Sequence, residues 1–498
     1  MIESISNLWS IPLLVIIPML TAIIVNFLYD KAIKPIAISS AIIILIISII
    51  SPYGYHWFCG HPALNPETLT FTFNPNIFGY KLSLEFIFGP LQHIMIFISS
   101  LILLFCVILS TIGLTKHQGP YIALLFLLFM SSAIVIMVND LYHLWIAVEI
   151  GSLIVVGIAA ASGTSISHKA ALKYGLFSAI SGAGLAVSLA LVLGLTGFSN
   201  ISDAIMYLKQ FGIGEMSTVL YIAFGFFVLS WMYAGGLAPI HPLKSEVYGA
   251  SYPHGTALLQ AQSKLMLVAI GIIMLRLFGM LPFVKEVMIF LSVITMMIGV
   301  IMALIQIDFR WIIAYLIISH SGFVTLGIGL GTQEGLIGGI FQAVNDIIYM
   351  TILLLCCEAL FYFGGKTSTK EAYDIAKKSP FIATATILGA IAASGIPPFN
   401  GFQSEIILIQ ACLKEGLPEI AVLILMVSVT TFIALLRGIY RIFLKPPELQ
   451  DQDNSNVDLP KVLIIGIIIF IILSIIIGIY PDIVLRFIIP VVKEVLSI

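Results

Sequence analysis

Seven ionisable side chains, Glu149, Lys173, His241, Lys264, His320, Asp346 and Glu405, stand inside or at the ends of apolar runs. Such a group costs several kcal/mol in hydrocarbon, so it is retained where it carries charge or protons. Two of them adjoin breaks in the apolar pattern. His241 closes Gly235-Gly236-Leu237-Ala238-Pro239-Ile240-His241-Pro242, and Glu405 closes Gly395-Ile396-Pro397-Pro398-Phe399-Asn400-Gly401-Phe402-Gln403-Ser404-Glu405. A break in a spanning helix frees backbone N–H and C=O groups that lipid cannot solvate, so it persists where it lines an enclosed or hydrated cavity. The chemistry indicated is transfer of protons or small cations.

Each residue has a competing, purely structural reading. Glu149 lies nine residues past Asp140, about 13 Å into its helix at 1.5 Å per residue, near the membrane centre, which favours function. Asp140 and His143 sit within a turn of that helix's start and read as interface groups. Lys264, with Gln260 and Gln262 nearby, has polar neighbours that suit a hydrated path. His320 has a near-neutral intrinsic pKa suited to proton relay, against the alternative of a satisfied buried histidine. Asp346 is deep in its span beside Asn345, whereas Glu358 is nearer the end, where a capping role alone would account for it. Lys169 and Lys173, spaced i,i+4, either snorkel to the interface or, for Lys173, point inward as a partner for Glu149. Asp308 and Arg310 read as a loop ion pair, and Arg437 and Arg441 as anchors at a helix end. Glu405 is the acid with the strongest claim, because its carboxylate can face the N–H groups that the second break frees.

The elements that position these groups follow from composition. With 60% hydrophobic and 10% charged residues and a mean hydropathy of +1.11, the chain is an all-α polytopic membrane protein. Apolar runs of spanning length fall near 8–28, 33–51, 88–112, 120–138, 141–161, 170–195, 218–238, 255–278, 284–306, 310–330, 335–363, 382–413 (broken), 419–443 and 461–480, about fourteen transmembrane helices. Glu3 precedes the first run and no small-residue cleavage site follows, so that run is expected to be retained. One set of alternate loops holds most of the lysine and arginine, including Lys31, Lys116, Lys169, Lys244, Arg310, Lys377 and Arg441. The positive-inside rule makes that set cytoplasmic and both termini external, in the cell membrane. Five cysteines without ligand spacing give no metal site, no cofactor motif appears, and a net charge of −2 without a basic patch gives nucleic acid no footing.

Residues 1–119 form N-terminal helices with an external loop, where the alternating Thr68-Leu69-Thr70-Phe71-Thr72-Phe73 predicts a short hairpin. The breaks at Pro239 and Pro397 come at similar distances, about 119 and 113 residues, after the spans beginning near Pro120 and Val284. This spacing predicts two inverted five-helix repeats, 120–278 and 284–445, each with a broken helix. Residues 446–498 add a linker and a C-terminal helix.

Several segments resemble one family. They are Pro239-Ile240-His241, Ala303-Leu304-Ile305-Gln306-Ile307-Asp308-Phe309-Arg310 leading to Ala314-Tyr315 and Ser319-His320-Ser321-Gly322, Gly395-Ile396-Pro397-Pro398 with Gly401-Phe402, and Ala170-Ala171-Leu172-Lys173-Tyr174. Together they resemble the antiporter-like, proton-translocating membrane subunits of respiratory complex I, Mrp cation/proton antiporters and energy-converting membrane hydrogenases. The resemblance implies that Glu149 matches the family's characteristic glutamate, Lys264 its central lysine, His320 the following histidine and Glu405 the terminal lysine or glutamate. The chain departs from the pattern at Ala234, where the family has a lysine five residues before the first proline, and at Asp346 and Met350, where it has His-x-x-x-Lys. With the Ala234 position empty of charge, either Lys173 or His241 serves Glu149 or the glutamate stays protonated at neutral pH, and Lys173 is the expected substitute.

Three functions follow. The first is a proton- or sodium/proton-translocating subunit of a redox-driven complex, such as an energy-converting hydrogenase or an NADH:quinone oxidoreductase-like enzyme, with the redox centre on partner membrane subunits. The second is a degenerate scaffold in the same complex, and the third a stand-alone cation/proton antiporter. None makes the chain an enzyme by itself.

Overall fold

The computed structural model describes residues 9–28, 30–51, 69–73, 76–77, 80–81, 84–114, 117–211, 217–363, 379–444 and 459–497. The chain divides into two compact units. The first contains 1–235, 261–287 and 486–498, and the second 236–260 and 288–485.

The first unit opens with α1 (Ser10–Phe27) and α2 (Asp30–Ile50), then β1 (Leu69–Phe73), β2 (Asn76–Ile77), β3 (Tyr80–Lys81) and β4 (Leu84–Phe88). The alternating segment is a strand, as its pattern predicts, and pairs antiparallel with β4 from Leu69 opposite Phe88 to Phe73 opposite Leu84. Residues 52–68, with Cys59, lie outside the described residues. Six more helices follow: α3 (Pro90–Gly113), α4 (Gln118–Met137), α5 (Leu141–Ala160), α6 (Ser165–Thr196), α7 (Ile201–Phe211) and α8 (Ser217–Gly235). Their ends are set locally. Asp140 accepts the His143 N–H at 3.0 Å to cap α5, and a Thr164/Ser167 capping box starts α6, which Gly197 ends at φ 75°. From α3 to α6 each helix packs on the next, and α8 packs on α6.

The second unit contains α9 (Pro242–Ala250), α12 (Phe309–Leu330), α13 (Gln333–Tyr362), α14 (Pro380–Ala393), α15 (Asn400–Lys414), α16 (Pro418–Ile439) and α17 (Lys461–Ile479). Two helices, α10 (Pro253–Phe278) and α11 (Val284–Ile305), run through both units, as does the amphipathic C-terminal α18 (Asp482–Ser497). The hub is α13, wholly buried over its spanning window and in contact with α12, α14, α15 and α17. Small residues let these backbones close up, as they do between helices in lipid. A Cβ on Gly327 of α12 would meet the Gly339 Cα of α13 at 2.4 Å, and one on Gly299 of α11 would meet the Ser319 nitrogen at 2.5 Å.

Thirteen helices among the described residues have the length and apolarity to cross a membrane. The fourteenth expected span is the broken one, split into α14 of 14 residues and α15 of 15, each short of the roughly 20 residues a spanning helix needs. Outward faces are apolar, with Ile23 51%, Leu172 65% and Met426 60% exposed. Exposed aliphatic surface on this scale suits lipid or neighbouring membrane subunits. The chain is a multi-pass membrane protein.

Candidate functional site

In the second unit, Gln342, Asn345, Asp346 and Tyr349 fall at i, i+3, i+4 and i+7 on α13 and so share one helix face. All four side chains are buried. Opposite them, α12 brings His320 and α15 brings Asn400 and Ser404. His320 Nδ1 lies 2.9 Å from Asp346 Oδ1 and 2.9 Å from the Tyr349 hydroxyl. Gln342 Nε2 donates to the Tyr349 hydroxyl at 2.8 Å, and Ser404 Oγ donates to Gln342 Oε1 at 2.5 Å. Asn345 Nδ2 donates to Ser404 Oγ at 2.9 Å, and Asn400 Nδ2 returns to Asn345 Oδ1 at 3.1 Å. Ser474 Oγ of α17 closes the line on Asn400 Oδ1 at 2.6 Å.

One imidazole nitrogen faces two partners, and it cannot serve both in the same state. As a donor, Nδ1–H binds the Asp346 carboxylate; as an acceptor, it takes the Tyr349 O–H. The two states differ by the position of a proton, so this buried junction can hold a proton in either of two places. Removal of water strengthens every such interaction and makes an unpaired charge costly.

Glu405, next to Ser404 on α15, has partners of its own. Its Oε2 accepts from Ser428 Oγ at 2.6 Å. The carboxyl group lies against Gly395 at the break, where φ is 63° and a Cβ would strike Oε2 at 2.2 Å. The carboxyl borders a recess of about 270 Å³ lined by Ile406, Leu425, Ser428 and Val429. The expected pairing with freed N–H groups is thus replaced by a serine hydroxyl.

At the first break, the Ala238 N–H donates to Thr295 Oγ1 at 3.0 Å, which satisfies one freed donor. Gly236 has φ 70°, and its missing Cβ is occupied by the stem of Lys244, with Cβ and Cδ 3.1 and 3.2 Å from where it would sit. Lys244 is 3% exposed and its Nζ is 6.0 Å from the Tyr248 ring centroid. Both breaks therefore place a positive-φ glycine against a buried charged side chain, a lysine at one and a glutamate at the other. Loop charge alone ranks Lys244 with the cytoplasmic cations; its place five residues after Pro239 is the signal that sets it apart. His241 is half-buried at the turn before α9.

In the first unit, Glu149 is half-buried on α5 and packs its carboxylate on Gly182 of α6, where a Cβ would fall 1.1 Å from Oε1. Trp145 Nε1 donates to the Gly182 carbonyl at 3.0 Å, which fixes the same contact. Tyr174 and Tyr233 lie within electrostatic reach of Glu149, and the Tyr233 hydroxyl donates to the Tyr174 carbonyl at 2.9 Å. Lys173 does not point inward. It is exposed with Leu172, Leu176 and Phe177, because the buried stripe of α6 runs through Ala170, Ala171, Tyr174 and Ser178. Ala234 is buried, and its carbonyl takes the Ser263 hydroxyl at 3.1 Å. Lys264 is fully buried on α10.

Asp308, Arg310 and Arg437 stand at helix ends. Asp308 caps α12 by accepting the Arg310 N–H at 2.9 Å, and the Arg310 guanidinium stands 5.8 Å from the Phe361 ring. Arg437 donates to the Leu304 carbonyl at the end of α11, the anchoring role its position suggests. No cluster of metal-ligating side chains occurs among the described residues.

Gly182→Ala is expected to expel the Glu149 carboxylate from its seat. Its ion-transport rate in vesicles should match that of Glu149→Gln within about twofold, a difference under about 0.5 kcal/mol. A Gly182→Ala protein that transports normally beside an impaired Glu149→Gln would show that the working Glu149 carboxylate does not depend on the Gly182 seat.

The family model described as NADH:quinone oxidoreductase/Mrp antiporter, transmembrane, matches residues 138–434. An uncharacterised protein of Methanocaldococcus jannaschii is 32% identical over 490 residues, 97% of this chain and 98% of its own. An Na(+)/H(+) antiporter component of Alkalihalophilus pseudofirmus is 24% identical over 412 residues, 81% of this chain and 82% of its own. Among solved structures, a chain of the membrane-bound sulfane sulfur reductase, an archaeal respiratory membrane complex, superposes with a TM-score of 0.84 at 21% identity, covering 96% of this chain and 77% of that one. The chain belongs to the NADH:quinone oxidoreductase/Mrp antiporter membrane family.

Proposed function

We propose that the chain is the ion-translocating membrane subunit of a larger complex in the cell membrane, moving protons, or sodium in exchange for protons, while partner subunits supply the driving reaction. The observation that carries this reading is the continuous buried line from Asp346 and His320 through Tyr349 and Gln342 to Ser404, beside Glu405. A membrane bundle needs no such line for stability, since apolar packing would fill the space at lower desolvation cost. Its groups titrate or rotate, as proton transfer requires. The relationship to an antiporter component and the likeness to a respiratory complex support a partner-driven role. Lys264 and Glu149 are assigned the corresponding duty in the first unit, with external termini and two inverted repeats as the topology.

Asp346→Asn tests the reading. Asparagine keeps the volume and accepts a hydrogen bond, yet cannot take a proton. In proteoliposomes containing the complex purified through a tag on this chain, translocation is expected to fall about a hundredfold, the scale of a lost proton-transfer group, with assembly intact. Normal translocation by Asp346→Asn would remove the second-unit line from the path.

A scaffold role for the first unit has one observation in its favour, the uncharged Ala234 together with an exposed Lys173. The Gly182→Ala and Glu149→Gln pair decides it, because a silent unit would leave both variants transporting normally.

A further inference from the structure

Glu358, one turn before the end of α13, has a partner of which its sequence context gives no sign. His254, the second residue of α10, places Nδ1 3.1 Å from Glu358 Oε2, with side chains 2% and 9% exposed. The His254 backbone N–H also donates to Oε2 at 3.3 Å. Tyr252 stacks on the imidazole, centroid to centroid 5.6 Å at 12°, and with Tyr362 it lies within the field of Glu358. A carboxylate that only capped the start of α10 would need the backbone bond alone. Here it also faces a second titratable group, in a site with little contact with solvent.

This is the second buried histidine–carboxylate pair on α13. Asp346 and Glu358 are 12 residues apart, about 18 Å along the axis at 1.5 Å per residue. The interval between them has polar groups on the side facing α10. Gln260 Nε2 donates to the Ile347 carbonyl at 3.1 Å and reaches Thr351 Oγ1 at 3.4 Å. Thr351 and Glu358 are i and i+7, on one face of α13. Gln260 Oε1 is buried and accepts no hydrogen bond among the described residues.

We propose that His254 and Glu358 form a proton-loading site that feeds Asp346 and His320 along the α10-facing side of α13, by way of Gln260 and Thr351. This rests on the reading of the second unit as a proton path. The Glu358 carboxylate takes a proton from the aqueous phase at the Tyr362 end of α13, forming an O–H bond, and shares it with His254 Nδ1. Release breaks that bond and forms one on the next acceptor toward Asp346. Each hop moves one proton and no electrons.

Three variants in the intact, reconstituted complex test the site: Glu358→Gln, Glu358→Asp and His254→Asn, with Asp346→Asn alongside. Glutamine retains the hydrogen bonds of a cap but not the proton, while aspartate retains the proton at a longer reach. A relay requires translocation in the order wild type, Glu358→Asp, Glu358→Gln, with Glu358→Gln and His254→Asn each reduced about tenfold at equal assembly. A double Glu358→Gln/His254→Asn variant should be no slower than the slower single variant, since the two act as one unit. Glu358→Gln at the wild-type rate, with Asp346→Asn impaired, overturns the loading site and leaves the proton path standing. Glu358→Asp slower than Glu358→Gln also overturns it, in favour of a structural cap. Asp346→Asn at the wild-type rate overturns the path and the loading site together.

Discussion

Glu405→Gln is expected to lower ion translocation about a hundredfold while leaving the complex assembled, the loss typical of a removed proton-transfer group. The carboxyl is seated in two ways that glutamine preserves. Ser428 Oγ donates to Oε2 at 2.6 Å, and a glutamine carbonyl oxygen accepts the same bond. The space left by the absent Cβ of Gly395 admits either side chain, since the two differ by an oxygen and an NH₂. What glutamine lacks is a site for the travelling proton. The contrast with Gly395→Ala makes the test specific. A methyl at 2.2 Å from Oε2, on a residue at φ 63°, displaces the carboxyl and strains the break by about 1–2 kcal/mol, so that variant should lose thermal stability as well as transport. Translocation at the wild-type rate by Glu405→Gln in proteoliposomes would exclude this group from the path.

The residues that the sequence reveals and those it hides differ in what makes them detectable. Glu405 is legible because the Gly-Ile-Pro-Pro break cannot continue a helix, and the next acid must lie where the chain re-enters the bundle. Asp346 is legible because no charge belongs in the middle of an apolar run. The line joining Asp346 to Glu405 is only half legible. Gln342, Asn345, Asp346 and Tyr349 do repeat with helical period, but the partners on α12 and α15 come from distant segments whose register the sequence does not specify. Lys173 shows the opposite failure. An inward lysine would meet a need at Glu149, yet the helical phase of Lys173, shared with Leu172, Leu176 and Phe177, puts it on the exposed face. Lys244 is hidden by its nine-residue helix, whose polar composition resembles a loop; only the turn at Gly236 carries it inside. His254 and Glu358 meet across 104 positions, and no local pattern announces a contact of that range.

Lys264 carries the other large expected effect. Its side chain is fully buried on α10, a helix whose spanning window is 94% buried, so an ammonium there is held against a desolvation penalty of several kcal/mol. The neighbouring Gln262 and Ser263 meet other helices of the first unit. Gln262 Nε2 lies 2.9 Å from the Cβ position of Gly151 on α5, and the Ser263 hydroxyl donates to the Ala234 carbonyl. The two residues that precede the lysine are therefore anchored to α5 and α8. A lysine in this setting can release its proton, whereas an arginine keeps its charge throughout. Lys264→Met, which fills the same volume without charge, should reduce translocation about a hundredfold, and Lys264→Arg about tenfold, because it preserves the field but not the transferable proton. The order wild type, Arg, Met is the diagnostic result, read as initial rates of pH change in vesicles at equal protein content. If both variants translocate at the wild-type rate, Lys264 is a structural cation and the first unit carries no proton through α10.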